Sequence, residues 1–538
     1  MGQLTQAVLV MAISENLTDN KSMVTRPFDV CVIGGGINGA GIAFEAASRG
    51  LNVGLFEQHD FGFGASSATS KLAHGGLRYL EQRQFKLVRE SLNERNFLLK
   101  SAPHLVKPLQ FYVPLYNHSK WKPLQLKLGL SVYDWMQSNR VMPKHRMLST
   151  HQIRADVPWL TTEGLVGCGS YFDAQMDDHR LIIELLLMAK DCGAHIQNYC
   201  KVSGIEPTAS GVQIGLEPTV GNPTSVSTKS AVLAAGAWSN SLAKAPLVKP
   251  TKGVHIVLPD MDLNAALLLL SPKDDRVMFM MPWQGKTLVG TTDQLDDQAY
   301  DTPQMHASEA QYLLDCVNAY HNHRVWCLDD VMAFFCGYRP LIYTDETVCS
   351  NQTREDAVVW LDKDVLSVSG GKYTTFRKMS QRAFAQLHQR CFETYPLSSA
   401  SHDYTFIGAL TPNDWPSDSQ LSEYSKQYHV ERDTLMHLIS TYGALYKRIL
   451  STIGRHKETA IRVDLEVPMI VAELKYAIEN EWVRCVEDFL FRRTYYGYLF
   501  HKEPDVLAAF SMAFNQLFDC KPNNSALPTL KQIRNDNA

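Results

Sequence analysis

The 538-residue chain lacks the cysteine pattern of a disulfide framework or a zinc site. Its 11 cysteines are an odd number, scattered from Cys31 to Cys520 without a CxxC pair. Cysteines used in this way are typical of reduced thiols in a cytosolic compartment. The sequence also has no iron–sulfur spacing and no haem motif. We therefore predict no metal centre.

An excess of positive charge and long hydrophobic runs are also missing. The net charge of -4 excludes a globally basic nucleic-acid binder, so an anion site must be a local cluster of Arg and Lys. Glu184 interrupts LIIELLLMAK, and NAALLLLSP is shorter than the roughly 20 residues that a membrane-spanning helix needs. The first 27 residues have neither a signal-peptide nor a transit pattern. We expect them to be a flexible extension outside the fold.

A glycine-rich turn follows the first apolar segment, FDVCVIGGGINGAGIA at residues 28–43. Gly34, Gly36 and Gly39 match GxGxxG, in which the glycines allow a tight turn, close approach of pyrophosphate, and packing of helix on strand. The helix predicted from Asn38 offers its first N–H groups to phosphate oxygens. Glu57 ends the next strand, NVGLFE, where a carboxylate suits ribose hydroxyls and repels a 2′-phosphate. The opening therefore predicts a β-α-β unit for FAD or NAD.

Three later stretches favour FAD. GASSATSKLAHGGLRYL at 64–80 has small hydroxyl and glycine residues that can wrap a second phosphate and a ribityl chain. LAAGAW at 233–238 resembles the strand and glycine element that passes near the nucleotide in flavoproteins. LSVSGGKYTTFRKMS at 366–380 ends a strand in two glycines and begins a helix. We predict non-covalent FAD, bound by Gly34, Gly36, Gly39, Glu57, Ser66, Ser67, Ser70, Lys71, His74, Gly75, Gly76, Gly236, Gly371 and Thr374.

The order of elements predicts an α/β fold: a Rossmann-like FAD-binding domain, an antiparallel-sheet substrate domain and a C-terminal helical domain. Short β-type runs between 250 and 360, such as KGVHIVLP and KTLVGTTD, predict the antiparallel sheet. A shift to Ser, Pro, Asp and Asn near 398–420 marks a domain boundary. The expected limits are 1–27 for the extension, 28–398 for the interleaved domains and 399–538 for the helical domain. The FAD parts are 28–80, 160–240 and 355–398; the substrate parts are 81–159 and 241–354.

Seven motifs, in this order, resemble the FAD-dependent glycerol-3-phosphate dehydrogenases of the aerobic respiratory type. They are VIGGGINGAGIA, SSATSKLAHGGLRYLE, KGVHIVLP, LVGTTD, GYRPL, GGKYTTFRK and AELKYAIENEWVRCVEDFLFRRT. The chain departs from the family in its N-terminal extension and at Ala235, where relatives commonly have Thr. The resemblance implies oxidation of sn-glycerol 3-phosphate to dihydroxyacetone phosphate, with electrons passed to a quinone, in glycerol and glycerophospholipid metabolism.

That chemistry requires a hydride acceptor, a base, and cations that hold a phosphate. Guanidinium groups match phosphate geometry best, and Arg339 lies between an apolar strand and Pro340. The resemblance implies that the substrate-binding residues are Arg78, Tyr79, Thr291, Arg339, Arg354 and Lys372. The base is either His255 or Lys372, and both stay open at this point. With Arg339, they form the predicted catalytic set.

Two enzymatic alternatives remain: a soluble glycerol-3-phosphate oxidase that uses dioxygen, and an FAD amine or amino-acid oxidase on the same fold. A protein that keeps flavin only as a scaffold is a third possibility. The expected partners are glycerol 3-phosphate, a quinone and a membrane lipid surface, with no nucleic acid; a homodimer is left open. HSKWKPLQLKLGLSVYDWM at 118–136 combines basic and bulky apolar residues, as interfacial segments do. We expect a cytoplasmic protein bound peripherally to the inner face of the cytoplasmic membrane.

Overall fold

The structure is a computed structural model that describes residues 26–137, 141–295, 300, 303–343, 356–394, 403–465 and 467–518. Its strands are β1 (Phe28–Ile33), β2 (Val53–Phe56), β3 (Leu72–Ala73), β4 (Val106–Tyr116), β5 (Arg146–Leu148), β6 (Leu165–Met176), β7 (His195–Gln197), β8 (Cys200–Thr208), β9 (Gly211–Pro218), β10 (Thr224–Leu233), β11 (Val248–Leu258), β12 (Ala266–Leu270), β13 (Val277–Trp283), β14 (Lys286–Gly290), β15 (Gln294–Leu295), β16 (Ala333–Ile342), β17 (Asp356–Asp362) and β18 (Val365–Gly370).

The α-helices connect these strands and then form the C-terminal region. They are α1 (Ile37–Ala47), α2 (Arg78–Glu81), α3 (Phe85–Ser101), α4 (Pro123–Trp135), α5 (Thr150–Asp156), α6 (Asp178–Asp191), α7 (Ser239–Ala243), α8 (Ala307–Tyr320), α9 (Phe376–Cys391), α10 (Asp418–Tyr428), α11 (Arg432–Tyr442), α12 (Tyr446–Arg455), α13 (Val471–Asn480), α14 (Val486–Asp488), α15 (Tyr496–Leu499) and α16 (Pro504–Phe518). A π-helical turn, Phe489–Arg493, lies between α14 and α15.

The first sheet has the strand order β17-β18-β10-β1-β2-β7, with β9 also pairing with β10 and β8 with β9. Its centre is parallel: β1 pairs with β10 and β2, and β10 with β18. Helices α1, α6 and α9 pack on this sheet and bury both apolar strands and apolar helix faces. Small residues let α1 approach closely, since a Cβ added at Gly41 would lie 2.5 Å from the Ser380 Oγ of α9.

The second sheet has the order β15-β11-β14-β13-β12-β4-β6-β3, with β16 on β11 and β5 on β6. Most of its pairs are antiparallel, including the long β4/β6 and β11/β16 ladders. The two sheets meet where β16 of the second sheet contacts β18 of the first, which ends in Gly370. This junction of the two sheets positions the site described below.

The described residues from 403 to 518 are mainly helical. Some of their apolar side chains join the core beneath the first sheet, and others, from Val467 to Phe514, form a separate cluster. Leu435, Leu438 and Ile439 of α11 belong to the same buried cluster as Leu181 and Leu185 of α6. The predicted fold class is confirmed: a Rossmann-like sheet, an antiparallel sheet and a helical C-terminal region. Strand β6 lies in the second sheet, and the domain limits given above stay a prediction. Within the described ranges we find no helix with the length and apolar character that a bilayer crossing requires.

Candidate active site

Two adjoining open cavities lie where the sheets meet. The first follows the glycine turn, and the second extends toward the second sheet. The residues that line both are Ile37, Asn38, Ala65, Ser66, Pro340 and Gly370. The cavities therefore form one continuous cleft.

The glycine turn between β1 and α1 forms one wall of the first cavity. Gly34 has a φ of +107°, which favours glycine, and an added Cβ would lie 2.6 Å from the Ala234 carbonyl oxygen. A Cβ at Gly39 would lie 1.9 Å from the Gly34 carbonyl oxygen, so this glycine lets α1 pack on the turn. Gly36 faces the cavity, where a Cβ would lie 3.0 Å from Ser66 Oγ. A different geometric constraint thus requires glycine at each of the three positions, as the GxGxxG motif predicts.

Glu57 lies at the end of β2 and lines the first cavity. Its Oε2 accepts a hydrogen bond from the Gly35 N–H at 2.6 Å, and its Oε1 accepts one from the His59 N–H at 2.9 Å. Burial raises the pKa of the carboxyl, while these two N–H groups oppose the shift. Each carboxylate oxygen keeps a second lone pair, which suits the hydroxyls of a ribose.

The residues of the cleft fit FAD. Asn38 is the second residue of α1 and lines both cavities, and its buried Oδ1 has no hydrogen-bond partner among the described residues. An unsatisfied buried polar atom at a helix N-terminus is what a polar ligand in the cleft would correct. Ser66 Oγ already accepts the Ile37 N–H at 3.1 Å, which joins the 57–66 loop to the start of the helix. The first-turn N–H groups of α1 therefore suit a phosphate, and the Asn38 Oδ1 suits a ligand hydroxyl that can donate to it.

Cationic side chains line the second cavity. Arg78, Arg339 and Lys372 line it together with His74 and His255, and none of its described lining residues is Asp or Glu. A site of this composition attracts an anion, because three cationic side chains line it and Asp293, the carboxylate that pairs with Arg339, does not line it. Phosphate is the anion whose geometry matches paired guanidinium groups.

Arg339, on β16, is held by the GTTD segment that follows β14. Its Nη2 donates to Thr291 Oγ1 at 2.8 Å, and its Nη1 donates to Asp293 Oδ1 at 3.1 Å. Both nitrogens also lie 3.2 Å from the Thr292 carbonyl oxygen. An added Cβ at Gly253 would lie 2.1 Å from Nη2, so the glycine of β11 makes room for this guanidinium group. The side chain is fixed in one orientation at the cavity wall.

Lys372, Tyr79 and Arg78 form a second cationic corner. The Lys372 Nζ lies 3.8 Å from the centre of the Tyr79 ring and donates to Ser91 Oγ at 3.2 Å. The Arg78 guanidinium lies 5.5 Å from the same ring. The aromatic ring thus holds two cations near each other by cation–π attraction, which lowers the cost of their mutual repulsion.

His255, on β11, is buried beside the second cavity. Its Nε2 lies 2.9 Å from Ser70 Oγ, and its ring stacks on Phe335 with centroids 5.0 Å apart. Burial, and then the charges of Arg339 and Lys71, hold the pKa of His255 well below its ordinary value. The imidazole is therefore neutral at neutral pH and able to accept a proton.

Most of the predicted site residues line the cleft. From the predicted cofactor set these are Gly34, Gly36, Glu57, Ser66, Ser70, His74, Gly76, Gly236, Gly371 and Thr374. From the predicted catalytic and substrate-binding sets they are Arg78, Tyr79, His255, Thr291, Arg339 and Lys372. Arg354 lies outside the described residues. The roles given to all of these residues stay predictions.

Four predicted cofactor residues do not line either cavity: Gly39, Ser67, Lys71 and Gly75. The Lys71 Nζ is buried and binds Asp178 Oδ1 at 2.8 Å, so a helix, not a ligand, holds its charge. Ser67 Oγ donates to the Gly64 carbonyl oxygen. A Cβ at Gly75 would lie 2.4 Å from the Tyr133 hydroxyl oxygen. Ser67, Lys71 and Gly75 thus belong to the 64–76 segment but contact other protein groups, and Gly39 belongs to α1.

Sequence reasoning missed two polar residues of the site. Asn38 lies between Gly36 and Gly39 of the glycine motif, so its position at the start of a helix was a usable signal. Asp293 lies beside Thr291 in GTTD, but its contact with Arg339 spans 46 residues. Only the pairing of β11 with β14 and β16 brings Asp293 and Arg339 together.

Comparison with known proteins is consistent with this geometry. The family model described as FAD dependent oxidoreductase matches residues 29–371, which confirms the predicted cofactor. A second family model, the C-terminal domain of alpha-glycerophosphate oxidase, matches residues 399–518. The first match covers the strands of both sheets, and the second covers the C-terminal helical region.

Relatives of similar length have the same architecture. The chain is 32% identical over 509 residues to the aerobic glycerol-3-phosphate dehydrogenase of Staphylococcus saprophyticus, covering 90% of both chains. It is 32% identical over 492 residues to the glycerol-3-phosphate dehydrogenase of Synechocystis, covering 87% of this chain and 88% of the relative. The solved structure of the Bacillus halodurans glycerol-3-phosphate dehydrogenase complexed with FAD superposes with a TM-score of 0.74 and 26% identity, covering 95% of this chain and 99% of that one. The chain therefore belongs to the family of FAD-dependent glycerol-3-phosphate dehydrogenases.

Proposed function

We propose that the protein oxidises sn-glycerol 3-phosphate to dihydroxyacetone phosphate and passes the electrons to a membrane quinone. The observation that carries the proposal is the second cavity, where Arg78, Arg339 and Lys372 lie beside a neutral, buried His255. Relatives that share about a third of their residues with this chain bear the name of the same activity. The site of an amine or amino-acid oxidase would pair a carboxylate with one arginine. A cluster of three cations fits that arrangement poorly.

In this proposal the phosphate binds between Arg339 and the corner formed by Arg78, Tyr79 and Lys372. The Thr291 and Asp293 contacts orient the Arg339 fork before substrate arrives, which reduces the ordering cost of binding. Arg354 completes the substrate set on the ground of the resemblance. Together these groups hold the glycerol carbons in a fixed orientation, as oxidation at one carbon requires.

The reaction removes a hydride from C2 and a proton from the C2 hydroxyl. When bound, FAD supplies the hydride acceptor. We assign the proton to His255, because its lowered pKa keeps the imidazole unprotonated and its Nε2 side faces Ser70 at the cavity wall. Lys372 is engaged by Ser91 and by the Tyr79 ring, which suits a role in binding substrate oxygen.

The proposed membrane contact is the exposed face of α4. Leu124, Leu128 and Trp135 lie on this face and are 78%, 66% and 82% exposed, while Leu126 and Leu130 of the same helix pack into the core. Phe85 lines a groove with Trp135, and exposed Lys86 and Arg89 belong to the same groove. Exposed apolar side chains beside basic ones are typical of helices that bind anionic lipid surfaces. Such a contact supports a membrane quinone as the acceptor, and we propose the inner face of the cytoplasmic membrane on the ground of the resemblance.

The decisive experiment mixes the purified holoenzyme with glycerol 3-phosphate in the absence of oxygen. We expect the yellow flavin absorbance to bleach, with no bleaching by unphosphorylated glycerol at the same concentration. Absence of bleaching by glycerol 3-phosphate would refute the proposed substrate. Reoxidation of the bleached enzyme by air and by a quinone analogue then identifies the acceptor, since the C-terminal family model takes its name from an oxidase.

A further inference from the structure

Asp60 is a completely buried carboxylate in the loop that follows β2. Arg493 binds it with two parallel hydrogen bonds, from Nη1 to Oδ2 at 2.8 Å and from Nη2 to Oδ1 at 2.9 Å. The Arg492 Nε adds a third at 2.7 Å, and the Asn198 Nδ2 a fourth at 3.0 Å. Burial raises the pKa of Asp60, but the charges of Arg493 and Arg492 outweigh it and bring the pKa to about 2. The carboxylate is thus ionised and saturated with donors.

The loop that contains Asp60 is also the loop that holds the glycine turn. The Gly62 N–H donates to the Gly35 carbonyl oxygen at 3.0 Å, and the Gly35 N–H donates to Glu57. The Phe61 ring fills the space above Gly35, where an added Cβ would lie 2.5 Å from its Cδ1. Ser66, at the other end of the loop, receives the Ile37 N–H. A shift of the 57–66 loop therefore moves the groups that face the first cavity.

The two arginines are themselves fixed by the C-terminal region. They end the π-helical turn, whose wide geometry is common at functional positions. Arg492 binds Asp488 Oδ1 at 2.6 Å, and Arg493 donates from Nε and Nη2 to the Glu481 carbonyl oxygen. These contacts hold both guanidinium groups in place independently of Asp60.

We infer that Arg493 and Arg492 are positioning residues for the cofactor: the C-terminal helical region anchors Asp60 and through it holds the 57–66 loop against the glycine turn. The sequence separation of 433 residues between Asp60 and Arg493 makes this a link between the two ends of the fold. Two arginines on one buried aspartate define the loop position more strictly than apolar packing would, because hydrogen-bonded ion pairs have narrow geometry. The inference concerns binding of FAD and does not depend on the substrate.

A second buried ion pair provides a matched control. Arg180 of α6 binds Glu481 Oε2 at 2.7 Å, and both side chains are fully buried. This pair attaches the same C-terminal segment to the first sheet's helices, but within the described residues no hydrogen bond or ion pair joins either side chain to the 57–66 loop. If Arg493 acts only by general docking of the C-terminal region, loss of the Arg180 pair must loosen FAD equally.

The test measures the rate of FAD release from diluted holoenzyme, followed by the rise of free flavin fluorescence, for Arg493→Gln, Arg492→Gln and Glu481→Gln. We expect release to accelerate about tenfold in Arg493→Gln and less in Arg492→Gln, the size typical of residues coupled in one network. Glu481→Gln should lower the thermal midpoint of the apoprotein and leave the release rate close to that of the wild type. Arg493→Lys, which keeps the charge but loses the fork, should lie between the wild type and Arg493→Gln.

Wild-type release from Arg493→Gln would overturn the inference, and so would equal acceleration in Glu481→Gln. Arg492 is partly exposed at the side chain, and Arg492→Gln leaves the Arg493 fork intact. Arg492→Gln therefore provides the measurement if Arg493→Gln does not fold. If the rate of FAD release is unchanged in both Arg492→Gln and Arg493→Lys, the positioning role is refuted.

Discussion

Ser70 and His255 are 185 residues apart in the chain, and their side chains meet at 2.9 Å between Oγ and Nε2. Ser70 comes from the segment that follows the β-α-β unit, and His255 comes from β11 of the second sheet. The contact therefore joins the predicted cofactor side of the cleft to the predicted catalytic base. It gives the imidazole a fixed orientation in a buried environment.

Removal of this contact should slow catalysis without loss of FAD. We expect Ser70→Ala to lower kcat by about 3- to 10-fold, because one hydrogen bond that orients His255 is lost. Ser67→Ala is the matched control, since its hydroxyl bonds to the Gly64 carbonyl oxygen away from the histidine. Steady-state rates with a soluble dye, measured at equal flavin content, check the prediction. A kcat in Ser70→Ala equal to that of Ser67→Ala would contradict it.

The pH profile should report the lowered pKa of His255. A base works when it is unprotonated, so a lowered pKa keeps His255 active as the pH falls through the ordinary histidine range near 6.5. We expect kcat/KM to stay level across that range and to decline only at lower pH. In Arg339→Gln the decline should move to higher pH, because one of the charges that lower this pKa is gone. A wild-type decline centred at 6.5 or above would argue against His255 as the base.

Arg339 should matter for substrate and not for cofactor. We expect Arg339→Ala to reduce kcat/KM with glycerol 3-phosphate by about 30- to 1000-fold, since a charge-assisted contact with phosphate is lost. Arg339→Lys should recover only part of the loss, because an ammonium group cannot reproduce the fork. The exposed Arg324, paired with Asp330 far from the cleft, supplies the control Arg324→Ala. Normal efficiency in Arg339→Ala would remove this residue from the phosphate site.

FAD should be bound without a covalent link. His74 lines the second cavity, but its ring lies beside Phe279, and we expect no bond from it to the flavin. Acid precipitation of the holoenzyme should leave all the flavin in the supernatant, for the wild type and for His74→Ala alike. Yellow colour in the washed pellet of the wild type would show that the prediction of non-covalent binding is wrong.

The exposed face of α4 should bind lipid. We expect the wild type to co-sediment with anionic liposomes, less so at high salt, and Leu124→Glu with Leu128→Glu to reduce this binding several-fold while activity with a soluble dye is kept. Val325 is 81% exposed elsewhere on the surface, so Val325→Glu is the control for added charge. Equal sedimentation of the two variants would place the membrane contact elsewhere.

The apolar side chains of residues 118–136 differ in their exposure, and the composition of this stretch did not predict which of them are exposed. The sequence predicted a lipid contact from its mixture of Trp, Leu and Lys, and the helix period separates these residues. Trp121 is half-buried and its Nε1 donates to Glu81, whereas Leu124 and Leu128 face solvent. Which apolar residues remain exposed depends on what packs against α4, and no local pattern contains that information.

The sequence by itself determined the features that are local. The spacing of Gly34, Gly36 and Gly39 specifies a turn that only glycine can form, and the strand before it and helix after it follow from hydrophobic period. A dinucleotide of the FAD or NAD type follows from this segment together with Glu57, because all of these groups lie within one β-α-β unit. The choice of FAD needed the later stretches at 64–80, 233–238 and 366–380.

Only the tertiary structure decided the contacts that join distant segments. The packing of α6 places the Lys71 ammonium on Asp178, and the contact of Lys71 with the cofactor stays a prediction. Asp60 meets Arg493 because the C-terminal helices pack on the first sheet. Such pairs depend on how whole sheets and helices pack together. The sequence around a charged residue does not identify the residue with which it will pair. Local backbone preference thus encodes the turn and the cofactor class, while burial and long-range packing select which charged groups face the cleft.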